Sequence, residues 1–199
     1  MGSSSSQPNH QNIFLRNILF SRFLDKSVNY DNLKKRNLKD GWLAKSNWRK
    51  ELLLSRFQIV IDVKEPARLV NFWSQALGYV PEPPPRGFSS WVEFYTKIGL
   101  PKEELTEGHD SIVDPHDKGP RIWFHVVPES KICKNRIHFD LGVSGGYGVP
   151  MNIRKERVEA EAERLVKIGA TRLETLEEAG IEHYAVAMAD PEDNEFDIN

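Results

Sequence analysis

The sequence predicts an α+β fold of two similar halves, preceded by a basic extension of different character. Three observations predict it. A strand pattern followed by a helix pattern occurs at residues 57–78 and returns about eighty residues later at 137–169. Each half closes with an Asp-Pro turn that leads into a further strand, at Asp114 and at Asp190. The charge balance also changes along the chain: residues 1–55 hold ten Lys or Arg against four Asp or Glu, and 56–199 hold seventeen against twenty-five.

A length of 199 residues with 39% hydrophobic content allows one buried core plus an appendage. Cys133 is the single cysteine, which excludes an internal disulfide and a paired thiolate metal site, and fits a reducing, cytoplasmic compartment. No stretch reaches the roughly 18 to 20 apolar residues needed to span a bilayer, so a soluble protein is expected. A net charge of −2 argues against nucleic acid as a partner of the whole molecule.

The extension opens with a polar, Ser- and Asn-rich run at 1–11, too poor in apolar groups to pack, so disorder is expected there. Residues 13–24 (IFLRNILFSRFL) place Leu15, Leu19 and Phe23 at helical spacing with Arg16 and Arg22 among them, which predicts a short basic helix. A serine-rich, arginine-bearing, acid-poor start also has the composition of an organelle-targeting presequence, an alternative to an accessory helix. Trp42 and Trp48 sit in the basic stretch 34–50, and no function attaches to them.

The elements of the main domain, 56–199, follow in order. In 57–63 (FQIVIDV) Ile59, Ile61 and Val63 alternate with Gln58, Val60 and Asp62, the pattern of a half-buried strand. Pro66 opens a helix in which Leu69, Phe72, Trp73, Ala76 and Leu77 form the apolar stripe, and Gly78 closes it. The prolines of 81–87 (PEPPPRG) demand an extended connection. Ser90 and Glu93 then read as a capping box for an inserted helix ending near Ile98. After Asp114, residues 121–127 alternate again: Ile122, Phe124 and Val126 on one face, Arg121, Trp123 and His125 on the other. The second half repeats this order. In 137–143 (IHFDLGV) Ile137, Phe139, Leu141 and Val143 oppose His138, Asp140 and Gly142, so His138 stands where Gln58 stood. Val158, Ala162, Leu165 and Val166 stripe the following helix and Gly169 ends it. An internal duplication of this length implies two units that bury their faces together, with a site where they meet.

The segments IDVKEPARLVNFWSQALGY, DSIVDPHDKGPRIWFHVVPESKICKNRIHFDLGV, RVEAEAERLVKIGA and HYAVAMADPEDNEF together resemble the glyoxalase-like branch of the vicinal oxygen chelate superfamily. The resemblance implies two βαβββ modules, about 57–127 and about 136–199, whose strands curl into an open barrel around a cleft. It implies a small-molecule ligand, and either a divalent-metal lyase, isomerase or dioxygenase, or a metal-free binding or resistance protein. In metal-using members one ligand lies early in the first strand of each module and another in its last strand. Those positions map to Gln58, His125, His138 and Asp197, a set suited to Fe(II), Mn(II), Ni(II) or Zn(II). Without metal, the two histidines are hydrogen-bonded residues lining a pocket. Asp62 and Asp140 face the same side and serve as a catalytic base, as orienting partners of a histidine, or as ion-pair partners of Arg121 or Arg136. Trp123, Tyr184 and Trp91 with Arg121 are the candidates for ligand contact. His109, His116 and His183 fall in or beside turns, and SGGYG at 144–148 is a weak phosphate-loop signal. With both modules in one chain, a homodimer is permitted and not required.

Overall fold

The structure, a computed structural model, describes residues 57–102, 105, 107–177 and 182–199. The helix expected at 13–24, Trp42 and Trp48 lie outside the described residues. The duplication is realised as two four-stranded sheets of the same order. The first half supplies β1 (Gln58–Val63), α1 (Pro66–Leu77), β2 (Val80–Pro81), α2 (Trp91–Lys97), β3 (Ser111–Val113) and β4 (Arg121–Val126). The second supplies β5 (Asp140–Leu141), α3 (Met151–Lys167), β6 (Thr171–Glu177), β7 (Tyr184–Ala189) and β8 (Glu195–Ile198). The orders β1-β4-β3-β2 and β5-β8-β7-β6 are one permutation used twice. In each sheet the first strand pairs parallel with the last, and the other pairs are antiparallel. Each half is βαβββ, α2 being an insertion between β2 and β3, and neither sheet closes into a barrel.

The local signals act as physical chemistry requires. Pro66 sits at the start of α1, where a missing N–H costs nothing, and Gly78 ends the helix at a φ of 68° that other residues adopt only with strain. Ser90 Oγ accepts the Glu93 N–H at 3.1 Å, while the Glu93 carboxylate reaches Ser89, taking its N–H at 2.7 Å and its hydroxyl at 2.6 Å. The capping box thus closes one residue earlier than its sequence form implies. In α3 the buried face is Arg154, Val158, Ala162 and Leu165. Val166 was expected on this stripe and is 47% exposed, because one further residue turns the side chain about 100° away from Leu165. The strand expected over 137–143 is shorter. Its pairing runs from Phe139 C=O, which accepts Asp197 N–H, to Val143 N–H, which donates to Asn199 C=O. Ile137 precedes that ladder and is exposed rather than core-facing, as is Val126 at the end of β4.

The Asp-Pro turns repeat down to the backbone. Asp117 and Asp193 stand three residues after Asp114 and Asp190, and both hold a left-handed φ, 53° and 67°. Asp114 accepts the N–H groups of His116, Lys118 and Gly119, and Asp190 those of Glu192 and Asn194.

One hydrophobic cluster runs through both halves, from Leu69, Phe72, Trp73, Ile112, Ile122 and Phe124 to Val158, Leu165, Val186, Met188, Phe196 and Ile198. The join is aromatic. The ring of Trp73 meets Phe139 and Phe196 edge-on, both at 5.2 Å, and its indole N–H donates to the buried Asp190 carboxylate at 3.0 Å. The same turn anchors the chain leading into α1, since Glu192 accepts the N–H groups of Lys64 and Glu65 at 2.8 and 2.6 Å. Residues 56–199 are accordingly one compact unit.

Candidate functional site

Each sheet turns one face to the core and leaves the other outside it, so alternate residues of the strands reach the outer face. On the first sheet the parallel register sets Gln58 beside Arg121, Val60 beside Trp123 and Asp62 beside His125. Ile59, Ile61, Ile122 and Phe124 point the other way, into the core. The alternation in the sequence therefore assigned all six outer residues to the correct face.

Their polar groups are bound to one another. Arg121 donates to Glu82 through Nε and Nη2 at 2.9 and 2.7 Å, to Gln58 Oε1 at 2.8 Å and to Ser111 Oγ at 2.7 Å. This ion pair is mostly sheltered, with Arg121 17% and Glu82 12% exposed at the side chain. The Ser111 hydroxyl donates to Asp110 at 2.9 Å, and Asp110 also accepts the Trp123 indole N–H at 3.2 Å. His125 Nδ1 lies 3.0 Å from Asp62 Oδ1. A carboxylate only accepts, so Nδ1 carries the hydrogen of this pair, and Nε2 is buried without a protein partner, the His125 ring lying beside that of Trp123.

On the second sheet Asp140 lies beside Asp197, and His138 precedes Asp140 by two residues. His138 Nε2 is 3.3 Å from Asp140 Oδ1 and 3.3 Å from Asp197 Oδ2, and the three donor atoms lie within 4.8 Å of one another. Neither contact is aligned as a hydrogen bond. All three side chains keep solvent access, at 43%, 57% and 26%. Among the described residues this is the one set of three or more His, Cys, Asp or Glu that could hold a metal ion. The donor chemistry fits: cis ligands at about 2.1 Å from a divalent ion stand roughly 3 Å apart, and one imidazole with two carboxylates suits a cation of intermediate hardness. Glu195, next to this set on β8, accepts from Lys131 and the Asn135 N–H and so ties the connection leading to His138 onto the sheet. Burial works against its charge, but those hydrogen bonds outweigh it and hold the Glu195 carboxyl at about 2.

Of the residues expected to bind metal, His138 and Asp197 come together. Gln58 and His125 lie on the other sheet, one accepting from Arg121 and the other paired with Asp62. Asp140, expected as a base, joins the second-sheet set. Tyr184 lies elsewhere: Ala187 is the neighbour of Asp197 in register, so Tyr184, three residues away, falls on the opposite, helix-covered face. Its hydroxyl bonds Glu159 of α3, and Lys155 lies over its ring. Trp91 likewise belongs to the insertion, giving its N–H to Glu82 C=O and stacking on Tyr95. Glu82, Asp110 and Ser111 were not anticipated. Glu82 lies in a proline-rich connection, and nothing in its sequence spacing points to Arg121.

Residues 58–199 match the sequence profile of the family described as a glyoxalase-like domain. The chain belongs to this family. Among solved structures, it is similar to a glyoxalase/bleomycin resistance protein/dioxygenase family enzyme from Burkholderia phytofirmans, at 17% identity over 71% of this chain and 94% of that one, with a TM-score of 0.44. A fosfomycin resistance protein from Listeria monocytogenes, solved with Mn(II) and a dihydroxypropylphosphonic acid, shares 12% identity over 74% and 90%, with a TM-score of 0.46. A fosfomycin resistance protein from Mesorhizobium loti shares 9% identity over 73% and 91%, with a TM-score of 0.44. No curated protein matches the sequence. The glyoxalase-like domain thus spans both sheets described above and leaves the extension 1–55 outside the match. Among the described residues no helix is long and apolar enough to cross a membrane.

Proposed function

We propose that this glyoxalase-like protein binds a small organic molecule at a divalent metal ion and acts as a lyase, isomerase or dioxygenase. The observation that carries the reading is the approach of His138 and Asp197, two of the four positions that the family resemblance assigned to metal, to a 3.3 Å donor spacing. A bound divalent ion supplies Lewis acidity for an oxygen-bearing substrate. The chain's own residues supply the rest. Trp123, pinned by Asp110, and Val60, directly beside it and 46% exposed, offer an apolar surface for the organic part of the ligand. His125, held in one tautomer by Asp62, is the group of the first sheet suited to accept a proton at Nε2. Arg121 is neutralised by Glu82, so it orients neighbours rather than capturing a free anion.

Elemental analysis of full-length protein purified without chelators tests the reading. Near-stoichiometric Mn, Fe, Ni or Zn, lost in His138→Ala, is the expected result. A metal-free protein that does not take up these ions when titrated sinks it. A metal-free binding protein is the second reading, favoured by the hydrogen bonds that tie Arg121 to Glu82, Gln58 and Ser111 on the first sheet.

A further inference from the structure

The two halves are built on the same strand order, so positions can be compared between them through register alone. Asp140 pairs with Asp197 across β5 and β8, and His138 stands two residues before Asp140. In the first half, Val60 pairs with Trp123 across β1 and β4, and Gln58 stands two residues before Val60. His138, Asp140 and Asp197 therefore correspond to Gln58, Val60 and Trp123. The second half presents an imidazole and two carboxylates where the first presents an amide, an isopropyl group and an indole. Of those three, only the Gln58 amide oxygen can ligate a cation, and Arg121 Nη1 donates to it at 2.8 Å. A cation ligated by that oxygen has to compete with this hydrogen bond from a charged donor. Arg121 is itself fixed by Glu82 and Ser111.

Resting on the reading above that a divalent ion is bound, we infer that the second module holds it alone, with Asp140 as third protein ligand and no ligand from Gln58 or His125. The geometry inside the second sheet supports Asp140 as a ligand. Its Oδ1 is as close to His138 Nε2 as Asp197 Oδ2 is, and the three donor atoms lie within 4.8 Å of one another. An imidazole and two carboxylates within one sheet leave the remaining coordination positions of a six-coordinate ion facing outward, where water and two oxygens of a substrate can enter.

Titration of the full chain with Mn(II) alone, by calorimetry and by the loss of the free-ion electron paramagnetic resonance signal, tests this. Asp140→Asn and Asp197→Asn keep side-chain volume, and circular dichroism and melting temperature check that each variant folds. Asp140→Asn, Asp197→Asn and His138→Ala are expected to weaken Mn(II) binding by at least about tenfold, the lower bound for disturbing even the groups behind a ligand. Gln58→Ala and His125→Ala are expected to stay within about threefold of the parent, a difference too small for a lost ligand. If Gln58→Ala or His125→Ala weakens binding as much as Asp197→Asn, or if Asp140→Asn binds like the parent, the one-module centre is wrong while the metal reading stands. If the parent takes up neither Mn(II) here nor Fe, Ni or Zn in the elemental test above, both fall.

Discussion

Trp73 gives its indole N–H to a carboxylate that is 1% exposed, so its removal leaves a buried charge with fewer donors. Burial raises the Asp190 pKa, opposed by the hydrogen bonds from Asn194, Trp73 and Glu192. Trp73→Phe preserves an aromatic ring and removes the donor. It is expected to cost about 1 to 3 kcal/mol in urea unfolding, and a loss under about 0.5 kcal/mol, below the usual net worth of a hydrogen bond, shows that Asn194 and Glu192 suffice. His125 makes a second residue-scale prediction. With Asp62 accepting from Nδ1, nitrogen NMR should find the Nδ1–H tautomer at neutral pH, and Asp62→Asn should lift that preference. A dominant Nε2–H form in the parent contradicts the pairing.

Helix ends and strand edges decide the element-scale behaviour. Gly78 has open space where a Cβ would go, so only its left-handed φ resists substitution. Gly78→Ala should cost about 1 kcal/mol, seen as a lower urea midpoint at unchanged slope. Glu192 anchors the approach to α1 from the other half of the domain, and Glu192→Ala should cost about 0.5 to 1.5 kcal/mol for the lost hydrogen bonds. The packing of α3 on β6 and β7 brings a pH dependence. Arg172 and the Tyr184 hydroxyl bond Glu159 and lower its carboxyl from 4.5 to about 2. A depressed folded-state value means that the stabilisation is full above about pH 4.5 and fades as pH falls toward 2. Thermal melts across that window should therefore show a shallower acid loss in Glu159→Gln than in the parent. Equal slopes would mean that solvent screening already cancels the contact.

For the molecule as a whole, the single aromatic join makes the two halves one cooperative unit. Phe196 lies in it, packed against Phe72 and Trp73. Phe196→Ala should lower the stability of the glyoxalase-like domain by about 3 to 5 kcal/mol, with fluorescence and circular dichroism reporting one coincident transition. Two separated transitions would mean that the halves melt independently.

The repeat was legible in the sequence because it rests on local physics. Period-two alternation placed Gln58, Asp62, Arg121, Trp123 and His125 on one face, helical spacing found α1 and α3, and Pro66, Gly78 and the two Asp-Pro turns marked the boundaries. These signals need only a residue's own backbone and its near neighbours. Which side chains meet across strands is a matter of register and of distant chain segments. Tyr184 shows the limit: its aromatic side chain made it a candidate for ligand contact, while the pairing of Ala187 with Asp197 put it under α3. Arg121 shows it again, since its partners Glu82, Gln58 and Ser111 lie 39, 63 and 10 residues away. The sequence by itself determined two similar halves, each a strand and a helix closed by an Asp-Pro turn into a further strand, and a list of residues that reach their outer faces; the βαβββ form came with the family resemblance. Only the tertiary structure decided that His138, Asp140 and Asp197 converge while Gln58 is held by Arg121, because side-chain pairing depends on distances that long-range strand register alone sets.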